Sequence, residues 1–91
     1  MDTVQVRILI EGKLQGMNFR YKTQDRAKAL ELVGFVRNLS DGRIEIEVQG
    51  EQSNVEKLLN WCQEEPHSNQ IKSILYRHDQ PNKGYTDFIV R

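Results

Sequence analysis

The sequence predicts an α+β fold, and three observations carry the prediction. Apolar residues alternate over Val4, Val6, Ile8 and Ile10, and again over Ile44, Ile46 and Val48. This period of two is the mark of strands with one buried face. Ala27 and Leu30, and further on Val55, Leu58, Leu59 and Cys62, recur instead at helical spacing. Gly12, Asp41-Gly42, Gly50 and Pro66 punctuate these segments, so the order reads strand, helix, strand, strand, helix, strand.

The first strand runs from about Thr3 to Glu11, and the glycine-bracketed loop Gly12 to Arg20 leads into a helix from about Lys22 to Val33. Strand two is Phe35 to Leu39. The turn at Ser40, Asp41 and Gly42 makes a hairpin with strand three, Arg43 to Gln49, whose Arg43, Glu45, Glu47 and Gln49 form a wet face. Gly50 ends that strand, Ser53 or Asn54 offers an N-cap, and Pro66 closes the second helix. A fourth strand covers Ile71 to Arg77. After the turn Pro81-Asn82-Lys83-Gly84, Thr86 to Val90 is a candidate short fifth strand. Such a βαββαβ order is that of a ferredoxin-like sandwich, an antiparallel sheet with two helices on one face. A right-handed crossover makes strands one and two parallel with strand three between them, which brings Asn38 and the Gly12 to Arg20 loop to one edge.

Ninety-one residues form a single domain, 1–91, with one modest core. Thirteen basic and thirteen acidic side chains cancel, leaving no basic footprint for nucleic acid or an anionic membrane. The N-terminus lacks a basic, apolar signal segment, and the lone Cys62 cannot make an internal disulfide. A cytoplasmic monomer is the expectation. His67 and His78 have no partner at ligand spacing, so neither metal nor cofactor is expected.

The Gly12 to Arg20 loop has the makings of an anion cradle. It leaves a strand and feeds free N–H groups into a helix N-terminus, and Gly16 lets the backbone approach a ligand closely. The Arg20 guanidinium adds two parallel charge-assisted hydrogen bonds to phosphate oxygens. A lone glycine loop before a helix is usually only a turn. Arg20, however, lacks a purely structural motive, because a cation in the first turn opposes the helix dipole. Asn38 has two readings of equal standing from spacing alone, a catalytic amide or the start of the Asp41-Gly42 turn.

The segment Gly12-Lys13-Leu14-Gln15-Gly16-Met17-Asn18-Phe19-Arg20, taken with Gly34-Phe35-Val36-Arg37-Asn38-Leu39-Ser40-Asp41-Gly42, resembles the acylphosphatases. These are small enzymes that hydrolyse carboxyl-phosphate anhydrides. The likeness spans most of the chain and implies an acylphosphatase, a hydrolase acting on a small acyl phosphate. Phosphate would be bound by Gln15, Gly16, Met17, Asn18, Phe19 and Arg20, and the catalytic pair would be Arg20 and Asn38. Phosphoryl transfer asks mainly for positioning and charge stabilisation. Asn38 would orient the attacking water, whose proton passes to a phosphate oxygen, since Asp41, the carboxylate of the second motif, belongs to the hairpin turn and not to catalysis.

Several residues have blander roles. Asp41 and Gly42 are hairpin chemistry, Gln15 holds the loop, and Cys62 and Trp61 are packing. Glu45 with Glu47, and Glu64 with Glu65, are solvated charge. The pattern departs from the family at Leu14, Met17 and Asn18 in the loop, at Glu31 where a glycine is common, and at Glu65 and Asn69. If position 31 needs a positive backbone angle, Glu31 carries strain. Two other functions compete. A non-catalytic phosphate-metabolite-binding domain of the same fold exists in hydrogenase maturation factors. An RNA-recognition module would need aromatics on strand three, which has none.

Overall fold

The computed structural model describes residues 2–14, 17–81 and 84–91. Its elements are β1 (Thr3–Gly12), α1 (Phe19–Ala29), β2 (Val33–Asn38), β3 (Ile44–Glu51), α2 (Gln52–Cys62), a 3₁₀ turn (His67–Gln70), β4 (Ile71–Asp79) and β5 (Phe88–Val90). All five strands form one sheet in the order β4-β1-β3-β2-β5. The alternating apolar residues do as their period requires. Val6, Ile8 and Ile10 lie directly opposite Val48, Ile46 and Ile44, and Val36 lies opposite Ile46, so all face the same side. Both helices cover that side, α1 through Phe19 and Ala27 and α2 through Val55, Leu58 and Cys62, in one shared core. The fold is the expected ferredoxin-like α+β sandwich.

One edge differs from the expectation of an antiparallel sheet. β5 exists, but it pairs parallel to β2 through Gly34 with Phe88 and Val36 with Val90. β4 occupies the opposite edge beside β1, so the last two strands stand on opposite edges of the sheet and β5 runs in the direction of β2.

Helix α1 begins and ends earlier than its apolar spacing suggests. At its C-terminus the Glu31 N–H donates to the Lys28 carbonyl and the Leu32 N–H to the Ala27 carbonyl. That pair of bonds is a Schellman stop, which requires a left-handed residue, and Glu31 supplies it at φ 58°. Leu32 then folds back on the core and β2 starts at Val33. Gly34 is required in β2 for a different reason: at φ 134° a side chain would overlap the Glu47 carbonyl of β3. Helix α2 starts at Gln52 without a break after β3, so neither Ser53 nor Asn54 is its N-cap, and Gly50 lies within the strand. The Gln52 N–H donates instead to the Asp2 carbonyl.

The wet face expected of β3 is also corrected. Glu45 is only 2% exposed, on the side of the sheet away from the helices, where it pairs with Arg37 and Arg7. Tyr85 covers the same side by donating to Glu47 and meeting Phe35 edge-on.

Candidate active site

At the end of β1 the chain must turn away from β4, and Gly12 makes this possible because a side chain there would overlap the Gln70 carbonyl. Gln15 and Gly16 lie outside the described residues. On the far side of the loop, Met17 packs against the core, and its N–H is engaged at a long 3.3 Å by the Leu14 carbonyl. Asn18 follows in the left-handed region at φ 54° and ψ 34°, and it makes no side-chain cap. A left-handed asparagine costs less than any other non-glycine residue there.

The first intrahelical bond of α1 runs from the Lys22 N–H to the Asn18 carbonyl. The N–H groups of Phe19, Arg20 and Tyr21 therefore have no acceptor within the helix, and among the described residues no capping side chain takes them. That is the donor set an anion needs. Phe19 anchors the turn. Its ring stacks on Trp61 with centroids 5.5 Å apart and meets His67 at 5.4 Å, and His67 Nε2–H donates to the Trp61 carbonyl at 2.5 Å. Trp61 thus packs as expected, whereas the part played by buried His67 was not legible from its spacing.

Arg20 is oriented by a residue 71 positions away. Its Nη1 donates to the Arg91 main-chain carbonyl at 2.9 Å. One helical turn on, Gln24 Nε2 donates to the Phe88 carbonyl at 3.0 Å, and a further turn on, Lys28 lies 3.8 Å from Asp87. The stripe Arg20, Gln24, Lys28 thus runs along β5, and its four-residue spacing was the one sequence signal for it.

Asn38 is the last residue of β2 and lies opposite Ile44, a core residue, so its side chain rises from the helix-covered side of the sheet. The turn beyond it is held by Leu39 and Arg43 main-chain bonding and by the Asp41 carboxylate, which accepts the Arg43 N–H at 3.0 Å and the Arg43 Nε at 2.8 Å. The Arg43 main-chain N–H, more than its side chain, holds the Asp41 carboxyl below its usual value. Among the described residues nothing hydrogen-bonds the Asn38 side chain, which leaves its amide open to the cleft.

Arg20 and Asn38 line the same open cleft of about 1150 Å³, with Gly12 to Leu14 and Asn18 to Tyr21 on one side and residues 39–44 on the other. Met17 is not among its lining residues. Lys13, Tyr21 and Arg43 are, although the sequence reading singled out none of them as a site residue. Among the described residues no three His, Cys, Asp or Glu side chains converge as metal ligands, and no helix is long and apolar enough to cross a membrane. Cys62 lies in the core away from the cleft, and burial pushes its thiol up to about 12.

Residues 6–90 match the family model for acylphosphatases. The chain belongs to the acylphosphatase family. It is 40% identical to a curated acylphosphatase of Chloroflexus aurantiacus over 81 residues, covering 89% of this chain and 88% of that one. A solved acylphosphatase from Coxiella burnetii superposes with a TM-score of 0.89 at 30% identity, over 99% of this chain and 94% of the other. The acylphosphatase fold also recurs inside a larger protein. Full-length HypF, solved in a phosphate- and nucleotide-bound form, matches with a TM-score of 0.88 at 33% identity over 99% of this chain but 12% of HypF.

Proposed function

We propose that this chain hydrolyses the carboxyl-phosphate bond of small acyl phosphates, giving a carboxylate and inorganic phosphate. The observation that carries the reading is the shared cleft, with Arg20 and the helix-terminal amides of α1 on one wall and the Asn38 amide on the other. The phosphate is held by the Arg20 side chain and by N–H groups of the loop from Gln15 to Arg20, with Phe19 and Arg20 contributing helix-terminal donors. Asn38 accepts a hydrogen bond from a water and places its oxygen in line with phosphorus.

The new bond joins the water oxygen to phosphorus as the bond from phosphorus to the acyl oxygen breaks, and that oxygen leaves as a carboxylate. The proton of the water passes to a phosphate oxygen. A carboxylate is a good leaving group, so no acid is needed to protonate it, and the chemistry asks only for positioning and charge stabilisation. The enzyme acts as a cytoplasmic monomer without cofactor, metal, nucleic acid or membrane.

Benzoyl phosphate hydrolysis by the purified chain, with chelator present and inorganic phosphate as competitor, tests the reading. Chelator-resistant turnover inhibited competitively by phosphate is expected. The likeness to part of HypF supports a second reading, a domain that binds phosphate without turning substrate over. Phosphate binding with benzoyl phosphate decaying at its spontaneous rate would establish that one.

A further inference from the structure

We propose that Glu45, on the side of the sheet away from the cleft, is a positioning residue that sets where Asn38 stands relative to the phosphate cradle. The inference rests on the role given to Asn38 above. Glu45 is 2% exposed, and its carboxylate accepts from Arg37 Nε of β2 at 2.6 Å while also pairing with Arg7 Nη2 of β1. One buried carboxylate on the central strand therefore ties the two strands whose ends build the site.

The register gives the tie its consequence. Glu45 lies opposite Leu9 on β1 and opposite Arg37 on β2. Arg37 immediately precedes Asn38, and Leu9 stands three residues before Gly12, where the loop begins. The ladder of β2 with β3 ends at Asn38 and Ile44, and beyond that rung only the hairpin turn, closed by the Leu39 N–H to the Arg43 carbonyl at 2.7 Å, joins the two strands. The core holds that rung from the helix side. The Glu45 to Arg37 bond holds it from the other.

Stability alone does not account for the arrangement. Well-packed apolar residues often replace a buried ion pair at no loss of stability. Among the described residues, Arg7 Nε is also left buried without a hydrogen-bond partner. Native proteins break the rule of satisfied buried polar groups chiefly where geometry matters more than stability.

A cycle of Glu45→Gln, Asn38→Ala and the double variant, assayed on benzoyl phosphate well below the melting temperature, tests the proposal. Glu45→Gln is expected to lower kcat ~10- to 100-fold, the range a small misplacement of a reacting group produces. The inhibition constant of inorganic phosphate should stay within about 2-fold, because the cradle is untouched. In the Asn38→Ala background the same substitution should add almost nothing, since residues that act through one another are not additive. A merely structural Glu45 would lower the rate by the same factor in both backgrounds, or not at all in folded protein, and either result overturns the proposal. Full turnover in Asn38→Ala alone overturns the reading of Asn38 and the positioning role with it. Should Glu45→Gln fail to fold, Arg37→Met, at a side chain 43% exposed, replaces it in the cycle with the same expectations.

Discussion

Arg20 Nη1 donates to the main-chain carbonyl of Arg91 at 2.9 Å, so the cation that faces the cleft is aimed by a residue just past the edge strand β5, 71 positions away in the chain. The guanidinium has five donors in a fixed fork. One is taken by the carbonyl, which fixes the plane and leaves the others for a ligand. The same Arg91 stacks its own guanidinium 4.1 Å from the Phe35 ring, and its N–H donates to the Val36 carbonyl, which holds the carbonyl in place.

Arg20→Ala is expected to weaken phosphate inhibition and kcat together, because the charge contacts ground state and transition state alike. Arg20→Lys should recover little of either. A point ammonium cannot bond the Arg91 carbonyl and chelate a phosphate with the same fork. Steady-state kinetics with phosphate as competitor read both effects.

Gln24→Ala removes the hydrogen bond to the Phe88 carbonyl one turn below Arg20. A net loss of about 1 kcal/mol of stability is expected, measured by urea unfolding. Because Arg91, whose carbonyl aims Arg20, directly follows β5, phosphate inhibition should weaken as well, though far less than in Arg20→Ala. Unchanged inhibition would show that β5 holds its position without the stripe.

Asn38→Ala should lower kcat by ~10²- to 10³-fold, the usual effect of removing one preorganised group from a transition state. Phosphate affinity should survive, since Arg20 and the α1 amides are untouched. Asn38→Asp separates the roles further: a carboxylate accepts from water but repels the phosphate, so both affinity and rate should fall.

Glu31→Gly should stabilise the protein by about 0.5 to 1 kcal/mol. The left-handed conformation costs a side-chain-bearing residue ~1 to 2 kcal/mol, of which the extra freedom of unfolded glycine takes back a part. The residue is exposed and away from the cleft, so kinetics should not change. Thermal unfolding measures the gain.

Asp41 gives the hairpin an acid limit. Its carboxyl titrates below the usual 3.8 in the folded state, chiefly because the Arg43 N–H donates to it. The carboxylate form is therefore favoured by folding, and its contribution is present above the unfolded value and lost as pH falls through the folded one. The difference in melting temperature between wild type and Asp41→Asn should accordingly be constant near neutrality and shrink below about pH 4. A difference that stays constant down to pH 2 would remove the assignment.

The sequence by itself determined the layers and the two segments that meet at the cleft. Strict alternation in β1 and β3 fixed which face is buried, because a strand has only two faces. The glycines and the Arg20 and Asn38 motifs marked the loop and strand end, because those backbones need particular residues. The suspected strain at Glu31 was legible for the same reason, and φ 58° bears it out.

What tertiary structure decided lies between residues far apart in the chain. The parallel pairing of β5, the carbonyl that aims Arg20, and the Phe19, Trp61 and His67 cluster all join segments whose separation carries no periodic signal. Glu45 is the sharpest case. Alternation put it on the side away from the helices, and that reading was correct. Only the side chains arriving from β1 and β2 made that side dry, because whether a charge meets water or two arginines depends on the strands that pair beside it.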